Sequence, residues 1–184
     1  MRLEPARRPA QHRRCSVGGA RSALDRTVEY LRGRRAFGQA LLDTQALGFR
    51  IADMATELEA ARTLLWRAAA ALDAGEPRAV TLCAMAKRFA TDTGYAVADQ
   101  ALRLHGGYGY LTETGIEKIV RDLRVHQIVE GTNEIMRLII ARAVTDNWVR
   151  ALRPQAGLDD DADAPTTTTV APVGDGEPPP TRPA

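Results

Sequence analysis

Cysteine is nearly absent: Cys15 and Cys83 are the 2 in 184 residues, too few for a disulfide framework. With only 3 histidines, scattered along the chain, they make no metal-ligand spacing, so no metal centre is expected. Aromatic residues are also scarce, 5% of the chain against a hydrophobic share of 45% in which alanine and leucine abound. Both are strong helix formers, and the composition is that of a helical bundle rather than a sheet protein. No uninterrupted apolar stretch approaches membrane-spanning length, so the chain reads as soluble, with the cytoplasm expected over the mitochondrial matrix. Nor does one charge dominate. The net is +2 with both signs interspersed, which gives no bulk electrostatic case for nucleic acid.

What is present is helical periodicity between two compositionally odd ends. Residues 1–16 carry Arg2, Arg7, Arg8, Arg13 and Arg14, lack the apolar region of a secretory signal, and are expected to be a disordered basic segment. A transit peptide and an arbitrary upstream start both fit that composition. Residues 16–35 form the first helical candidate, with Leu24, Val28 and Leu31 at helical spacing. From 39 to 73 runs the most regular signal: Leu47, Ile51, Met54, Leu58, Ala61, Leu65, Ala68 and Leu72 alternate spacings of four and three along one seam. Pro77 breaks it and suits the first turn of a third helix, 78–104, whose Ala84, Ala90 and Ala98 permit close helix contact. A short helix at 113–123 and a last one from Thr132 to about Leu152 complete the set. The expectation is an all-α fold, an antiparallel four-helix up-and-down bundle over residues 17–152 with an extra short helix. Beyond Arg153 lie an acidic run, four consecutive threonines and seven of the 10 prolines, so 153–184 is expected to be disordered.

Three stretches can carry chemistry. In His126-Gln-Ile-Val-Glu-Gly-Thr-Asn-Glu-Ile-Met-Arg137, Thr132 is a good N-cap and Glu134 sits in the positive first turn of the last helix. Glu130 is thereby set on a tight turn just ahead of a helix N-terminus, where a carboxylate can act as a general base. An ordinary polar residue before a cap has the same spacing. Arg34-Arg-Ala-Phe-Gly38 is a basic, glycine-terminated junction, and such arginines commonly sit in solvent. His105-Gly-Gly-Tyr-Gly-Tyr110 follows a helix and has the wrong glycine spacing for a dinucleotide fingerprint. Three glycines within four residues imply positive φ or a very close backbone approach, and a helix-ending turn is the plain alternative. His105 and His126 read as packing or surface histidines.

Taken together and in order, over residues 17–150, these stretches resemble the C-terminal helical domain of the flavin-dependent acyl-CoA dehydrogenases, the short- and branched-chain members most. The resemblance implies that Glu130 removes the α-proton of an acyl-CoA thioester while a hydride leaves the β-carbon for FAD. It implies further that Glu130's own backbone N–H helps to bind the thioester carbonyl. Arg34 would contact the FAD pyrophosphate of a neighbouring subunit, Phe37 pack against that nucleotide, and Gln45 hydrogen-bond to it. Gly106 and Gly107 would let the main chain approach the adenosine part of FAD, and Thr132 and Glu134 match positions that contact FAD near the catalytic loop. A homodimer or tetramer built through the bundle is implied, with electron-transfer flavoprotein as acceptor. Complete members carry an N-terminal helical domain and a middle β domain before this bundle. Neither is found here, so the chain alone is expected to be inactive; the alternative is a non-catalytic helical oligomerisation module derived from the family.

Overall fold

The computed structural model describes residues 9–152, with side chains described for 15–145. The expected disordered tail, 153–184, lies outside the described residues. Five α-helices dominate: α1 (Pro9–Gly33), α2 (Gln45–Asp73), α3 (Ala79–Leu104), α4 (Ile116–Val125) and α5 (Asn133–Leu152). The all-α expectation is met.

Three helices differ in their bounds by two residues or more from those read in the sequence. Helix α1 begins at Pro9 rather than Ser16, so residues 9–16, expected to be disordered, are helical. Proline at a first helical position gives up only an N–H that has no intrahelical acceptor. Helix α2 begins at Gln45, not Gln39. Residues 35–43 form a hairpin of two short antiparallel strands, β1 (Arg35–Ala36) and β2 (Gln39–Ala40), and then a 3-10 turn, Leu41–Asp43. Phe37 and Gly38, at φ 51° and 83°, make the connection; positive φ at both central residues matches the twist of a two-residue hairpin. Helix α4 is displaced two to three residues along the chain from the expected 113–123, because Gly115, at φ 66°, ends a separate 3-10 turn.

Helix α3 is the central element and packs against α1, α2, α4 and α5. Its buried face includes Ala86, Ala90, Val97, Ala98, Ala101 and Leu104. Small residues there bring backbones close: a Cβ on Gly94 would lie 3.0 Å from the Ser16 carbonyl oxygen of α1. Helix α1 answers with Ser16, Ala20, Ala23, Leu24, Thr27 and Leu31, a stripe at three- and four-residue spacing. The α2 seam buries Met54, Leu58, Ala61 and Ala68 as expected, but at its end Ala71 is buried where Leu72 is only half-buried. Among the described residues no helix is long and apolar enough to cross a membrane.

The turn from α2 to α3 is tied by Arg67, whose guanidinium donates two bonds to the Glu76 carboxylate at 2.9 and 2.7 Å. That fork holds the Glu76 carboxyl below its ordinary value of 4.5. A lowered folded-state value means that the contribution is complete above 4.5 and lost as pH falls through the folded value. The melting temperature of the wild type should therefore drop more steeply below pH 4.5 than that of Arg67→Met, as a paired series of melts will show. Parallel curves would remove the pair from the acid response.

Candidate functional site

The chain between α4 and α5 leaves Val125 in a run of turns and re-enters helix at Asn133. Glu130 and Gly131 take φ values of 56° and 89°. Glycine tolerates this; for an L-residue such as glutamate the left-handed region costs about 1–2 kcal/mol. Among the described non-glycine residues only Phe37 and Glu130 are so placed, and both belong to the stretches singled out in the sequence. The Glu130 side chain is exposed, with Ile128 and Ile135, both exposed, close to it in the chain. Thr132 caps α5 through its hydroxyl, which accepts from the Ile135 N–H at 3.5 Å. The Glu134 carboxyl is held below its ordinary value first by its own backbone N–H, then by the Thr132 hydroxyl, with the charges of Arg137 and Lys87 adding to the effect.

A buried polar cluster underlies this turn. Lys87 of α3, 5% exposed, donates to the Gly131 carbonyl at 2.8 Å, to Asn133 Oδ1 at 2.8 Å and more weakly to the Gln127 carbonyl at 3.5 Å. Asn133, 3% exposed, turns its amide nitrogen to Asp92 Oδ1 at 2.6 Å, and Gln127 Nε2 reaches the same oxygen at 2.8 Å. Lysine can only donate and a carboxylate only accept, so the Asn133 amide has one orientation consistent with both neighbours. Arg88 and Arg137 approach Asp92 Oδ2 at 3.5 and 3.4 Å. The turn is also tied to α1, where buried Ser16 Oγ lies 2.7 Å from His126 Nδ1.

The other candidate residues gather at the far end of α3. An open groove of about 610 Å³ is lined by Arg34, Phe37, Gly106 and Gly107, together with Tyr30, His105 and Tyr108. Phe37 is 99% exposed on its hairpin tip, an apolar ring held in a strained conformation that none of the described residues covers. The Arg34 guanidinium stands 5.5 Å over the Tyr108 ring. His105 is buried, stacks on Tyr30 with ring centroids 4.4 Å apart, and lies 2.8 Å through Nδ1 from the Ala101 carbonyl. Gly106 takes φ 59°, and a Cβ on Gly106 or Gly107 would meet no atom of the described residues within 4 Å. The close approach falls instead at Gly109, where a Cβ would lie 2.4 Å from the Leu102 carbonyl oxygen. Gln45, the first residue of α2, is exposed and outside this lining.

Residues 8–145 match the family described as acyl-CoA dehydrogenase, C-terminal domain. The chain belongs to the acyl-CoA dehydrogenase family. It is 47% identical over 130 residues to the mitochondrial isobutyryl-CoA dehydrogenase of Bos taurus, covering 71% of this chain and 31% of the relative. It is 40% identical over 126 residues to the caffeyl-CoA reductase-Etf complex subunit CarC of Acetobacterium woodii, covering 68% and 33%. Among solved structures, butyryl-CoA dehydrogenase from Megasphaera elsdenii superposes with a TM-score of 0.72 at 36% identity, over 74% of this chain and 36% of that one. The chain thus spans about a third of the length of these relatives.

In this acyl-CoA dehydrogenase domain the candidate residues fall into two sets. Lys87, beneath the Glu130 turn, and Leu104, beside the groove, are separated by 17 residues of α3, about 25 Å at 1.5 Å per residue. Arg34, Phe37, Gly106 and Gly107 form one set; Glu130, Thr132 and Glu134 form the other. Sequence reasoning missed the buried Lys87–Asn133–Asp92 cluster. A signal was present: Lys87 falls three residues after Ala84 and three before Ala90, on the face of α3 marked by small residues.

Proposed function

We propose that this chain serves the α,β-dehydrogenation of an acyl-CoA thioester, with Glu130 as the base that takes the α-proton. The observation that carries the reading is the left-handed backbone of Glu130, a strained glutamate fixed from beneath by buried hydrogen bonds. Strain of this kind persists where surrounding structure over-determines it, and it gathers at functional sites. Removal of the α-proton leaves an electron pair that forms the double bond as the β-hydride departs. The Glu130 backbone N–H donates to the thioester carbonyl and thereby stabilises the charge that develops on it. The exposed Ile128 and Ile135 offer an apolar margin for the acyl chain.

FAD fits the groove at the other end of α3, and when bound it supplies the acceptor for the hydride. A guanidinium beside an aromatic ring, an uncovered phenylalanine and two glycines with open space over them suit a pyrophosphate joined to a flat nucleoside. Arg34 binds the pyrophosphate, Phe37 and Gln45 contact the nucleotide, and Gly106 and Gly107 let it approach. Thr132 and Glu134 would contact the FAD that serves Glu130. The separation along α3 supports assignment of the groove and the Glu130 turn to different cofactor molecules, so that two copies of the chain complete each other's sites. Exposed Phe49 and Trp66 on α2 and Leu138 and Val144 on α5 supply apolar surface for such an assembly, a homodimer or tetramer. Electron-transfer flavoprotein is the proposed electron acceptor; the CarC relative is itself a subunit of an Etf complex.

The reading is tested on protein purified from its own host with whatever chains accompany it. Bound FAD and acyl-CoA-dependent reduction of a dye support it; an assembly that self-associates without flavin or turnover would favour the non-catalytic module. Arg34→Ala should weaken FAD retention, and the difference from wild type should shrink as salt rises and screens the charge. Equal FAD affinity in the two proteins would remove Arg34 from the cofactor site.

A further inference from the structure

We propose that Lys87 is a positioning residue for Glu130, clamping the turn that holds the base in its left-handed conformation. The inference rests on the reading of Glu130 as the base. A lysine is almost never so deeply buried without partners, and here the partners converge on one short segment. Two of them, the Gln127 and Gly131 carbonyls, lie on either side of Glu130, and the third, Asn133 Oδ1, is the side chain that opens α5. The segment is already closed into a loop by the Asn133 N–H, which donates to the Gln127 carbonyl at 3.0 Å. Lys87 ties both ends of that loop to α3, and Asp92, one turn further along the same helix, fixes the Asn133 and Gln127 amides from the other direction. The position of the Glu130 carboxylate is thus referred to the central helix and not to a free loop.

Charge and hydrogen bonding distinguish this role from filling space. A methionine at position 87 has nearly the volume of lysine but no donor, so the Gly131 carbonyl and the buried Asn133 Oδ1 both lose the bond that ties them to α3. An arginine keeps donors at a similar reach. The expected order of turn rigidity is therefore wild type, Lys87→Arg, Lys87→Met.

Residue-resolved amide hydrogen exchange on the full chain tests the clamp without reference to activity. In Lys87→Met the amides of Ile128, Val129 and Asn133 should exchange about tenfold faster or more, beyond any change in α1 and α2, with partial recovery in Lys87→Arg. Unchanged protection in the turn, or a loss spread evenly over the bundle, would overturn the proposal. If Lys87→Met does not fold, Lys87→Gln, whose shorter side chain retains an uncharged NH2 donor group, is judged by the same comparison. In the FAD-loaded assembly, kcat of folded Lys87→Met should fall about 10²-fold with KM for acyl-CoA little changed. If Glu130→Gln abolishes α-proton exchange while Lys87→Met leaves kcat intact, the clamp fails and the base stands. If Glu130→Gln leaves exchange intact, the base fails, and amide exchange still decides whether Lys87 holds the turn.

Discussion

Glu130→Gln is expected to lower acyl-CoA dehydrogenation by about 10²–10⁴-fold, the range over which a positioned general base accelerates proton transfer. Glutamine keeps the size of the side chain and a capacity for hydrogen bonds but cannot accept the α-proton, so substrate binding should change little. The loss should appear in kcat, with KM nearly constant. A companion variant separates chemistry from strain. Glu130→Gly removes the carboxylate and also the Cβ that makes φ 56° costly, a relief of about 1–2 kcal/mol offset in part by the greater freedom of glycine in the unfolded chain. Its melting temperature should equal or exceed that of wild type while its turnover is lost. A protein stabilised by deletion of its proposed base would show that the strain is retained for function; a clear fall in melting temperature would show that Glu130 serves the fold.

Gly109→Ala is expected to destabilise the domain by about 1–3 kcal/mol, the usual cost of forcing extra volume into a packed site, and more if the backbone cannot shift. The obstacle is backbone, not a flexible side-chain tip: the new Cβ would lie 2.4 Å from the Leu102 carbonyl oxygen and 2.9 Å from His105 Cβ. Leu102 lies in the last turn of α3 and His105 follows that helix, beside the groove, so relief requires the Gly106–Tyr110 turn to move. Gly107→Ala provides the control, since its Cβ would meet no atom of the described residues within 4 Å. Chemical denaturation should show a lowered midpoint for Gly109→Ala and a nearly wild-type midpoint for Gly107→Ala, whereas FAD affinity should fall in both. Wild-type stability in Gly109→Ala would mean that the turn yields readily, and the close approach would lose its structural meaning.

Much of the scaffold is legible in the chain itself because its signals are periodic. The seam from Leu47 to Ala68 repeats every three or four residues, and Thr132 announces the last helix; the seam lies along α2, and Thr132 caps α5. Pattern does not reveal departures from local preference. Phe37 has no propensity for positive φ, so the hairpin at 35–40 was hidden in what reads as a basic junction leading into a helix. Arginine and proline at residues 9–14 read as a tail, although proline is acceptable at a helix start. The site divides in the same way. Arg34, Phe37, Gly106 and Gly107 could be named as separate motifs, but their convergence on one groove depends on how α1 meets the end of α3. Lys87 is inconspicuous in the sequence because a single lysine is ordinarily solvated; the carbonyl oxygens brought over it by the turn after α4 make its burial tolerable.

The most direct measurement is wash-in of solvent deuterium at the α-carbon of an acyl-CoA bound to the FAD-loaded assembly, without an electron acceptor, in wild type and Glu130→Gln. Label should enter with the wild type and not with the variant, while both bind the thioester. Equal incorporation in the two proteins would contradict the assignment of the base to Glu130.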